Sequence, residues 1–88
     1  MNRPAKKSSA STPSARSELL KRSLTIAGHR TSIALEPEFW DGLEALAERR
    51  GLRLTALIEE VDRARQTPNL SSALRVAVLH DVQDRLEP

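Results

Sequence analysis

The chain opens without any hydrophobic period and then passes through four patterned stretches. From Met1 to about Ser17 it reads as Ser, Ala, Pro, Lys and Arg, a composition that buries too little apolar surface to offset the entropy of ordering. A disordered basic tail over residues 1–20, followed by one domain over residues 21–88, is the expected division. The first patterned stretch runs from Leu24 to Leu35 and is rich in β-branched and apolar residues. From Thr31 onward it alternates, with Thr31, Ile33 and Leu35 on one face and Arg30, Ser32 and Ala34 on the other. Gly28-His29 interrupts it, either as a hairpin turn or as the end of an extended lead-in. Gly-His is a weak turn signal beside Asn-Gly, which favours a lead-in followed by one true strand, His29 to Leu35.

The remaining stretches have helical spacing. Pro37 suits a first-turn position, where its missing N–H costs nothing, and Glu36, Glu38 and Asp41 give that start the negative charge its dipole favours. Phe39, Leu43 and Leu46, with Trp40 and Ala47, make the apolar stripe. Arg49, Arg50 and Gly51 end the helix with cations and a glycine. A second helix over Leu54 to Ala64 carries Leu54, Leu57, Ile58 and Val61 on one side and Glu59, Glu60 and Asp62 on the other. Gln66-Thr67-Pro68-Asn69 breaks the pattern. A third helix, capped by Asn69 or Ser71, runs to about Leu86. Its apolar positions, which include Leu74, Val76, Val78, Leu79, Val82 and Leu86, span too wide an arc for one thin core.

Charge adds a division that the net value of +2 conceals. Residues 1–22 hold six basic residues against Glu18 alone, while the remainder holds eight basic and eleven acidic. A basic arm on a mildly acidic body suits a polyanion-seeking tail on a separate module. No cysteine is present, so disulfides and thiolate metal sites are excluded, which fits a reducing cytoplasm. No apolar run reaches the ~20 residues of a membrane span, and no apolar stretch follows Arg3, Lys6 and Lys7 to make a secretory signal.

A body of about 65 residues with one Phe and one Trp is marginal alone, since domains of that size bury only ~60% of the surface of the unfolded chain. A lone strand also leaves its backbone N–H and C=O groups unpaired. Pairing with the same strand of a second copy, as an antiparallel two-fold ribbon, answers both problems. A homodimer is therefore expected, with Ile33, Leu35, Phe39, Leu43, Leu57, Ile58 and Val61 at its core.

Strand, proline-started helix, glycine-containing turn and second helix, in that order, resemble the ribbon-helix-helix family of DNA-binding proteins. Ile33-Ala34-Leu35-Glu36-Pro37-Glu38-Phe39-Trp40 looks like the family's strand-to-helix junction, and Gly51-Leu52-Arg53-Leu54-Thr55-Ala56-Leu57-Ile58 like its turn into the second helix. The run from Arg22-Ser23-Leu24 to Ser72-Ala73-Leu74-Arg75 resembles a bacterial subfamily, and the resemblance covers roughly residues 22–80. It implies a mainly α fold with one short strand paired antiparallel across a homodimer, plus an additional C-terminal helix. It also implies a two-stranded ribbon in the DNA major groove. Carried over by position, the base readers are Arg30, Ser32 and Ala34, and the phosphate clamp is Arg53, Leu54 and Thr55. The family usually has a small hydroxyl residue where Arg53 stands. Arg30 offers a fork for guanine O6 and N7, Ser32 donates or accepts, and Ala34 touches only a thymine methyl. Lys21 and Arg22 lie near enough to the ribbon to reach flanking phosphates.

Other chemistry lacks a pattern. His29 and His80 are far apart without a second His or Cys at ligand spacing, and no Ser has an evident base. Neither an enzyme nor a cofactor is expected. The first functional reading is a sequence-specific transcriptional regulator in the bacterial cytoplasm, associated with the nucleoid and partnered by double-stranded DNA and a second copy. The alternative keeps the fold as a protein-interaction module, adaptor or antitoxin-like, that docks a protein partner on the C-terminal helix.

Overall fold

The computed structural model describes residues 18–87. Two strands, β1 (Leu20–Ile26) and β2 (His29–Leu35), precede three helices, α1 (Pro37–Arg50), α2 (Leu54–Ala64) and α3 (Leu70–Leu86). The mainly helical ribbon-helix-helix order with an extra C-terminal helix is therefore as the sequence indicates. Residues 1–17 of the expected tail lie outside the described residues, and β1 begins at Leu20.

The single strand is corrected to a hairpin. β1 pairs antiparallel with β2 of the same chain, from Leu20 opposite Leu35 to Ile26 opposite His29. The turn is Ala27-Gly28, with φ of 52° and 82°; positive φ at both central residues defines the type I′ turn that matches strand twist. Alanine is disfavoured there, at a cost of roughly 1–2 kcal/mol. Its N–H donates to Glu59 Oε2 on α2 at 2.7 Å, a tertiary bond that favours the strained geometry. The strand's backbone partner is thus in its own chain, and the need for a second copy to pair with a lone strand falls away.

The helix ends follow local chemistry. Gly51 takes a left-handed conformation with φ 67°, and its N–H joins the α1 terminus. Asn69 caps α3, its side chain accepting from Ser72 N at 3.0 Å. The core combines Ile26, Ile33 and Leu35 of the sheet with Trp40, Leu43, Leu46 and Ala47 of α1, Leu57 and Ile58 of α2, and Leu74 and Val78 of α3. Five of the seven residues expected at a dimer core, Ile33, Leu35, Leu43, Leu57 and Ile58, are buried within one chain, and Phe39 and Val61 pack partly buried against them. α3 completes that core. It lies so close to α1 that a Cβ on Gly42 would stand 2.6 Å from Val78 Cγ1.

Candidate nucleic-acid interface

The hairpin has two faces because side chains alternate along each strand. Arg22, Leu24 and Ile26 of β1 and Thr31, Ile33 and Leu35 of β2 turn toward the helices and are half-buried or buried. Lys21, Ser23, Thr25, Arg30 and Ser32 turn outward and are exposed, and Ala34 is half-buried. Across the hairpin, Lys21 stands opposite Ala34, Ser23 opposite Ser32, and Thr25 opposite Arg30. The outer face therefore carries two cations, three hydroxyls and one methyl group, and no carboxylate.

That face brings the three expected base readers together. Arg30 Nη1 donates to Thr25 Oγ1 at 3.2 Å. The Ala34 carbonyl accepts from Ser71 Oγ at the start of α3, at 3.3 Å, so the β2 edge is partly covered at this end. Ser23 and Thr25 are additions that strand alternation supplies only once β1 is recognised as a strand.

The expected phosphate contacts divide between places. Lys21 shares the outer face. Arg22 is on the helix side, where its guanidinium lies 4.6 Å from the centre of the Trp40 ring and donates to Glu44 Oε2 at 3.1 Å. Trp40 in turn donates from Nε1 to the Leu20 carbonyl at 2.7 Å. Arg53 precedes α2 as its extended N-cap residue and makes no side-chain cap bond. Leu54 and Thr55 open the helix, whose first turn holds no acidic residue, so no carboxylate of that turn competes for its N–H groups.

Other charged groups serve the fold. Arg75 grips Glu36 with Nε to Oε1 at 3.0 Å and Nη2 to Oε2 at 3.4 Å, and this hydrogen bonding holds the Glu36 carboxyl below its ordinary pKa. Arg49 and Arg85 both reach Asp81, whose pKa is lowered chiefly by the Arg49 hydrogen bond. His29 and His80 are exposed and far apart in the chain. Among the described residues, no group of three or more His, Cys, Asp or Glu is placed to hold a metal, and no helix is long and apolar enough to cross a membrane.

The outward side of α3 is apolar as well. Val76, Leu79, Val82 and Leu86 remain exposed, Leu79 by 51% and Leu86 by 79%, while Leu74 and Val78 of the same helix enter the core.

The family profile for the ribbon-helix-helix domain matches residues 19–82. Among solved structures, that of an uncharacterized protein from Bordetella pertussis Tohama I is similar, with a TM-score of 0.67 and 36% sequence identity. The match covers 84% of this chain and 64% of that one, so the chain spans less than two thirds of that relative. No curated protein matches the chain.

Proposed function

The chain belongs to the ribbon-helix-helix domain family, and from that membership we propose that it is a sequence-specific DNA-binding transcriptional regulator acting as a homodimer. The observation that carries this reading is the outer face of the hairpin. A two-stranded ribbon fits the major groove, and Arg30 offers the planar fork that binds guanine O6 and N7 together, a contact worth ~1–3 kcal/mol of discrimination. Ser32 and Ala34 complete the base-reading set, with Ala34 limited to a methyl contact. The start of α2, at Arg53, Leu54 and Thr55, serves as a phosphate clamp through its N–H groups. Lys21 is better placed than Arg22 for flanking phosphates, since Arg22 has to give up Glu44 to reach one. The regulator would act on DNA in the bacterial cytoplasm, at the nucleoid, without a cofactor and without catalysis.

Anisotropy with a pool of duplex DNA tests this across salt concentrations. The intact protein should bind a subset of sequences, and Arg30→Ala should lose that selectivity. Deleting residues 1–17 should weaken binding to all sequences and flatten the salt dependence, because each phosphate contact releases counterions. Binding that follows only residues 1–17 would overturn sequence reading by the ribbon. A second reading, a protein-interaction module, is favoured by the exposed apolar side of α3 and would be supported if the intact protein binds no DNA.

A further inference from the structure

The register of the hairpin adds a residue to the reading surface. We propose that Thr25 of β1 is a positioning residue that sets the Arg30 guanidinium for guanine, so that β1 as well as β2 contributes to the reading surface of each chain. This rests on the DNA-binding function proposed above. A two-residue turn makes Ile26–His29 the hydrogen-bonded closing pair, and alternation makes Thr25–Arg30 a non-hydrogen-bonded pair, the kind whose side chains stand closer. Thr25 is β-branched and stiff at χ1, and its Oγ1 takes one Nη1–H of Arg30 at 3.2 Å. That leaves the Nε–Nη2 edge of the guanidinium for the O6 and N7 acceptors of a guanine. Both side chains are exposed, and an exposed arginine otherwise loses several rotamers when it docks. The Thr25 bond restricts that freedom before DNA arrives.

The test uses the full chain and a duplex selected by it from a random-sequence pool, alongside copies of that duplex in which each guanine is replaced in turn by 7-deazaguanine, which lacks N7. One 7-deazaguanine copy should weaken binding by the intact protein and leave Arg30→Ala unaffected, which marks the guanine that Arg30 reads. Thr25→Val keeps shape and strand preference, and should lower affinity for the unmodified duplex about three- to ten-fold. It should bind that 7-deazaguanine copy as the intact protein does, and Thr25→Ser should restore the difference. Far-UV circular dichroism checks that each variant is folded, with Thr25→Ala as a second truncation. The inference is overturned if Thr25→Val binds as tightly as the intact protein, or if it weakens both duplexes equally. If Arg30→Ala retains full selectivity, base reading by Arg30 itself fails, and the role of Thr25 falls with it.

Discussion

Ala27 shows how much a single residue decides. An alanine at φ 52° occupies a position that sequence statistics reserve for Asn, Asp or Gly, and for that reason the hairpin is hard to read from the sequence. Arg30, Ser32 and Ala34 are legible as one strand face from alternation, and as base readers only through the family resemblance, whereas Ser23 and Thr25 are hidden behind the unrecognised turn. Trp40 is legible as a core residue, but its hydrogen bond to the Leu20 carbonyl depends on β1 and could not be foreseen. The left-handed strain predicts that Ala27→Asn, which creates the favoured Asn-Gly turn, stabilises the fold by about 0.5–1 kcal/mol. The backbone bond to Glu59 survives the change. Thermal unfolding should show the midpoint rising by several degrees, and an unchanged or lower midpoint would mean that the turn is not strained.

Among the elements, helix boundaries are the best-encoded feature. Pro37, Gly51 and Asn69 act through local backbone chemistry and stand where the helices begin or end. How the helices pack is less visible, because it depends on pairs distant in sequence. Gly42 is the clearest case: within α1 it looks like a propensity defect, costing ~1 kcal/mol relative to alanine. Its role is the close approach of α3, where a Cβ would meet the stiff Val78 side chain at 2.6 Å. Gly42→Ala should therefore destabilise the protein by about 1–3 kcal/mol through overpacking, despite better helix propensity. Denaturant titration should show the double variant Gly42→Ala/Val78→Ala to be more stable than the sum of the two single changes. The wide apolar arc of α3 is legible, and it divides between a buried side at Leu74 and Val78 and an open side at Val76, Leu79, Val82 and Leu86.

For the molecule as a whole, one chain holds its sheet pairing and its hydrophobic core, and cross-links its surface with arginine–carboxylate pairs. Glu36, Glu60 and Asp81 each have a lowered pKa, first because of a hydrogen bond from Arg75, Arg50 and Arg49 respectively. A depressed carboxyl pKa means that the stabilisation is present above the ordinary value and is lost as pH falls through the folded value. The thermal midpoint should stay level from neutral pH to about 5 and decline below about 4.5. Glu36→Gln should reduce the steepness of that decline in calorimetry, and an unaltered profile would remove Glu36 from the acid transition. The sequence conveys the family and the helical order, but it misses the pairing partner of β2, which lies only a two-residue turn away. That short connection has a consequence for mass action. The hairpin and core close within one chain, so dilution should remove only what a dimer interface adds, whereas an obligate dimer has no folded protomer to fall back on. At a concentration where light scattering shows the dimer dissociated, the protomer should keep its helical signal in far-UV circular dichroism, and loss of that signal on dissociation would mean that the fold needs its partner.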